Sequence, residues 1–98
     1  MKSNSQIFEP ETPEQDLDLI HAIGVVATGY YNQGLLSLST TKWKEILQLD
    51  PQNVHALEEI AGNYNELGKT VLALKYCTKI EDLDQNNAVV NLIREDQD

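Results

Sequence analysis

The chain repeats itself at a displacement of 34 residues, and this limits its fold more than any other feature. Laying residues 20–53 over 54–87 without a gap gives ten identities: His21/His55, Ala22/Ala56, Ala27/Ala61, Tyr30/Tyr64, Gly34/Gly68, Leu38/Leu72, Ile46/Ile80, Leu49/Leu83, Asp50/Asp84 and Asn53/Asn87. Average composition supplies about two matches over that length. Ile20/Val54, Ile23/Leu57, Val26/Ile60 and Ser39/Ala73 add conservative pairs. A unit this short cannot bury an apolar face alone, so the copies must stack on one another.

Inside each unit the apolar spacing is helical. Ile23, Val26, Ala27 and Tyr30, and in the second copy Leu57, Ile60, Ala61 and Tyr64, recur at the three- and four-residue steps of one helix face. Gly34 and Gly68 supply a left-handed residue that ends this helix and reverses the chain. Leu38, Trp43, Ile46 and Leu49, matched by Leu72, Cys77, Ile80 and Leu83, then give a second stripe. The polar stops 50–53 and 84–87 follow, and their last residues, Asn53 and Asn87, are good N-caps for the next helix. Ala27, Ser39, Ala61 and Ala73 are small enough to let helices cross closely. The expectation is therefore an all-α chain of antiparallel helix–turn–helix units.

These residues resemble the tetratricopeptide repeat family. The period is that family's, and Tyr30-Tyr31-Asn32-Gln33-Gly34, Trp43 and Leu49-Asp50-Pro51 look like its motif, as do Ala61, Tyr64, Gly68, Ala73 and Leu83-Asp84 in the second copy. Ser39, Cys77 and Gln85 depart from it, standing where the family has alanine, an aromatic and proline. The resemblance covers 20–87 and implies a short right-handed α-solenoid of about five helices. Residues 1–12 are expected to be a disordered tail, and 13–98 one domain: repeats 20–53 and 54–87 and a capping helix over 88–96. Pro13 and the acidic Glu14, Asp16 and Asp18 suit a first helix over 13–33, about two turns longer than its counterpart over 54–67.

Charge narrows the function. Seven basic against sixteen acidic side chains leave a net charge of −9, which argues against nucleic acid or an anionic membrane surface as partner. No charge occurs over 19–41, but the strongly apolar part, 19–31, falls short of the roughly 20 residues a membrane-crossing helix needs. Cys77 is the only cysteine and cannot close an intramolecular disulfide. The opening residues 1–6 do not have the build of a secretory signal. A soluble, cytoplasmic protein is expected.

No catalytic chemistry is expected either. His21 and His55 occupy equivalent places but have no third ligand at metal-binding spacing. Cys77 falls on an apolar stripe, where a free cysteine acts as a small hydrophobe. The neighbouring carboxylates Glu58/Glu59 and Glu81/Asp82 diverge on a helix and read as solvated faces. There is no phosphate loop, nucleophile elbow or zinc signature, so no enzyme activity and no cofactor follow.

What the resemblance implies instead is binding of another protein in a concave groove lined by the first helix of each repeat. Carried over by position, that groove is His21, Gly24, Thr28, Tyr31 and Asn32, then His55, Glu58, Gly62, Asn65 and Glu66. Some members of the family clamp a peptide carboxylate with cations and amides at such places. Gly24, Thr28, Glu58 and Gly62 stand there in this chain, and a glutamate repels a carboxylate. The expected occupant is a peptide or amphipathic helix resting on the uncharged Gly24/Thr28 strip, its basic flanks selected by Glu58 and Glu66. The alternatives are residues 1–12 folded over that strip, a small chaperone of a secretion or assembly subunit, and a homodimer paired through the first helices or the cap.

Overall fold

Two apolar helical stripes per unit, each followed by a stop, give helices and turns in the order that the repeat requires. The computed structural model describes residues 13–97, and the tail expected over 1–12 lies outside them. Among the described residues the chain is all-helical, with no strand. Its five helices are α1 (Glu14–Asn32), α2 (Leu36–Leu49), α3 (Val54–Glu66), α4 (Thr70–Glu81) and α5 (Ala88–Asp96). The starts of α2 and α4, and those of α3 and α5, lie 34 residues apart, as do the ends of α1 and α3.

The turns repeat atom for atom. Gly34 and Gly68 adopt φ of 81° and 75°, a region open to glycine without steric cost. At the first turn the Leu35 N–H donates to the Tyr30 carbonyl and the Gly34 N–H to that of Tyr31, both at 2.9 Å. At the second, Lys69 donates to Tyr64 at 2.9 Å and Gly68 to Asn65 at 3.1 Å. This pair of bonds is a Schellman cap, which satisfies carbonyls left open at the helix end. Between the units the N-caps recur as well: the Asn53 side chain accepts from the Ala56 N–H at 2.9 Å, and that of Asn87 from Val90 at 3.1 Å. Each asparagine amide then donates back to the aspartate three residues earlier, Asp50 at 3.2 Å and Asp84 at 3.0 Å. That bond accounts for the identity of Asp50 and Asp84, and each cap is worth about 1 kcal/mol.

Ala27, Ser39, Ala61 and Ala73 are all fully buried. Trp43, Ile46, Leu57, Ile60, Cys77, Ile80, Val90 and Ile93 complete a continuous core with them. Four stripe residues are exposed rather than in the core. Leu38 and Leu72 are exposed, because Ser39 and Ala73 hold the inward position and a neighbouring residue lies about 100° around the helix. Leu83, also exposed, falls beyond the end of α4. Val26 is 45% exposed although its counterpart Ile60 is 0%. On α3, the row Ala56, Ile60 and Asn63 is buried, and Asn63 reaches α2. The matching row of α1 has no preceding helix against it among the described residues.

The hairpins α1–α2 and α3–α4 meet where α2 packs on α3. Asn63, 1% exposed, donates to Ser39 Oγ at 3.2 Å and to Thr40 Oγ1 at 3.1 Å across this seam. The last helix, α5, packs on both α3 and α4. Arg94 donates to Glu81 through two bonds, of 2.7 and 3.2 Å, so this solvated carboxylate is also one half of a surface ion pair.

Two substitutions test this account by urea denaturation. Gly68→Val forces a β-branched residue to positive φ and should cost about 1–3 kcal/mol. Asn63→Ala leaves two buried hydroxyls without their donor and should cost about 1–3 kcal/mol. Wild-type stability in either variant would refute the corresponding turn or seam.

Candidate protein-binding groove

A groove of about 670 Å³ runs along α1. Leu17, Ile20, His21, Gly24, Val25, Thr28, Gly29 and Asn32 form its long wall, spaced at three to four residues so that they share one side of the helix. Trp43 and Ile46 of α2 also line it, and Asn53 and His55 contribute from the start of α3. It exists because α1 and α3 stand apart: none of their Cα atoms approach within 8 Å, although α3 and α5 do touch.

Five of the ten residues implied by the resemblance line this groove: His21, Gly24, Thr28, Asn32 and His55. The other five, Tyr31, Glu58, Gly62, Asn65 and Glu66, do not. Asn87, the cap of α5, donates to Glu58 at 2.6 Å. Asn65 donates to Asp96 at 2.9 Å and accepts from Gln97 at 2.8 Å. Gly62 lies on the same side of α3, four residues after Glu58 and three before Asn65. The α3 half of the expected groove is therefore the side on which α5 is fastened. Among the described residues, no helix packs on its α1 counterpart.

Tyr31 and Glu66 are joined across the gap, with the phenol donating to the carboxylate at 2.8 Å. The hydrogen bond to Glu66, and then its charge, raise the Tyr31 pKa above the ordinary 10.0, because a phenolate there faces a carboxylate. Glu59 stands seven residues, two helical turns, before Glu66 and so on the same side of α3. At the other end Glu14 and Asp18 stand one helical turn before Leu17 and His21.

Size explains the depth of the groove. A Cβ built on Gly24 would sit 3.5 Å from the Trp43 ring, so anything larger than alanine would fill the space over the indole. The Trp43 ring meets that of His55 edge-on, with centroids 5.2 Å apart, and this holds the second hairpin against the floor. The indole N–H is buried and has no hydrogen-bond partner among the described residues. Trp43 belongs to the buried core, as its spacing predicts, and lies beneath the groove floor, where the glycine opposite leaves room above the ring. His55 Nδ1 lies 4.0 Å from Glu58, while His21 is joined to no carboxylate among the described residues.

Among the described residues no three His, Cys, Asp or Glu side chains gather closely enough to hold a metal ion. Cys77 is buried, and desolvation pushes its thiol pKa up, away from the thiolate that a nucleophile needs. No described helix is long and apolar enough to cross a membrane.

Glu66→Gln should return the Tyr31 titration towards the ordinary tyrosine value, as followed by the ring-carbon shift in NMR. In the wild type the bond persists through the usual tyrosine range and breaks only as pH rises through the raised value. An unchanged titration in the variant would mean that the bridge does not form.

The chain matches no protein-family model, and no curated protein is similar enough to count as a relative.

Proposed function

We propose that the protein is a non-enzymatic interaction module of tetratricopeptide type, a short right-handed helical solenoid that receives a segment of another protein in the α1 groove. The observation that carries this reading is the open gap between α1 and α3 over the Trp43 ring, walled by residues small enough for a partner backbone to come close. Apolar surface recessed in this way gains from coverage about 25 cal/mol per Å² buried, before the costs of association are counted. His21, Gly24, Thr28, Asn32 and His55 are the contact residues under this reading. Tyr31 and Glu66 close the far end, while Glu58 and Asn65 serve the junction with α5. A cytoplasmic location, without cofactor or nucleic acid, accords with the lone buried cysteine and the acidic surface.

A second reading, self-assembly, is favoured by a different surface. Leu19 and Val26 are exposed on α1 away from the groove lining, in an uncharged stretch of helix. A homodimer through that side leaves the groove free, and the chaperone reading uses the same groove for an assembly subunit.

The readings separate experimentally. Peptides selected from a random library on the wild-type protein should lose at least about tenfold in affinity on Thr28→Arg, about 1.4 kcal/mol, with helicity unchanged. Binding that survives the substitution would remove the groove from the function. Light scattering that shows a dimer split by Val26→Lys would favour self-assembly.

A further inference from the structure

The charges of this protein are sorted by helix. Carboxylates Glu14, Asp16 and Asp18 on α1 and Glu58, Glu59 and Glu66 on α3 are not accompanied by a single lysine or arginine on either helix. Among the described cations, Lys42 and Lys44 lie on α2, Lys69, Lys75 and Lys79 on α4 or its N-cap, and Arg94 on α5. The groove thus lies between the two helices that carry only negative charge.

We infer that the occupant is a cationic amphipathic α-helix from another protein, apolar side down on Gly24, Thr28 and Trp43, with lysine or arginine towards Glu14, Asp18 and Glu59. This rests on the interaction-module reading and adds the chemistry of the partner. It also moves the charge recognition away from Glu58 and Glu66. Glu58 and Glu66 each already accept a hydrogen bond within the fold, from Asn87 and Tyr31, which fixes them in place there and leaves the other carboxylates free to turn towards a partner. No described side chain bonds to Glu14, Asp18 or Glu59.

Charge decides among the occupants. The chain's own residues 1–12 contain Ile7 and Phe8, but the two carboxylates that follow, Glu9 and Glu11, outnumber the one basic side chain, Lys2, and have the same sign as Glu14 and Asp18. A second copy carries the same net charge of −9 and, paired symmetrically through this groove, would set three carboxylates of α1 against three. Like charges facing across an interface cost affinity, and a cationic segment reverses the sign. Backbone chemistry selects the helix. The groove is lined mainly by apolar and small residues, and an extended peptide would bury unpaired amides there, whereas a helix satisfies its own. The repeat supplies a precedent, since the side of α3 equivalent to this wall already packs a helix, α5. From Leu17 to Asn32 the wall is about 22 Å long, which matches a helix of about 15 residues.

The test uses the intact protein and the emission of Trp43, its only tryptophan. The probe is an amidated amphipathic helix of leucine and lysine, about 15 residues long. Two controls accompany it: its leucine–glutamate twin, and a scrambled leucine–lysine peptide without an apolar face. The leucine–lysine helix should bind and weaken about tenfold between roughly 20 and 200 mM salt. Neither control should bind, and the triple variant Glu14→Gln, Asp18→Asn, Glu59→Gln should lose about fivefold or more at low salt. Equal binding of the glutamate twin, with loss on Thr28→Arg, overturns the charge inference and leaves the groove reading intact. Equal binding of the scrambled peptide overturns the helical occupant. Binding indifferent to Thr28→Arg overturns the groove reading itself. If the probe fails to bind and Thr28→Arg splits a dimer, the occupant is a second copy; if removal of residues 1–12 restores binding, it is that segment. Either result overturns the inference.

Discussion

The seam between the two hairpins governs the rest of the structure. Asn63 spans it with both amide hydrogens directed at Ser39 and Thr40, in a site from which water is excluded. Such a bond contributes little net stability, yet leaving those groups unpaired is costly, so the contact discriminates between arrangements more than it adds to the total. It holds α2 against α3 at one register. With that register set, α3 stands at a distance from α1, and Trp43 lies in the space between.

From that distance follows an asymmetry which the sequence repeat conceals. Each of α1 and α3 presents an equivalent side towards the next first helix in the chain. On α3 this side is closed by α5, through Asn87 to Glu58, Asp96 and Gln97 to Asn65, and Arg94 to Glu81 on the neighbouring α4. On α1 the described residues leave it open apart from the Tyr31–Glu66 bridge at one end. Two sides nearly alike in sequence thus do different things, one holding the end of the fold and the other available to a partner. The open one lies between the two helices without cations, so position and charge favour the same kind of ligand.

Much of this was legible in the residues. The glycines at 34 and 68, the asparagine caps, the small residues at the crossings and the five helices all follow from local chemistry, and the structure has them where spacing puts them. The misplaced residues have physical reasons. Leu38 and Leu72 were assigned inward by hydrophobicity, but Ser39 and Ala73 hold that position because helices approach most closely over small side chains. Glu58 and Glu81 read as unpaired carboxylates, and Asn65 as groove lining, because their partners come from the capping helix and its caps, up to 32 residues away in the chain.

What the sequence determines by itself is periodic and local: helix ends, turns, caps and the charge carried by each helix, all set by interactions within about four residues. Four of the five contact residues fall in that class, since His21, Gly24, Thr28 and Asn32 share one side of α1 by spacing alone. Only the tertiary structure decided which of two similar sides remained open and that Trp43 would line it. The distance between α1 and α3 depends on how α2 packs, and a hydrogen bond spanning 24 residues leaves no periodic trace in the chain.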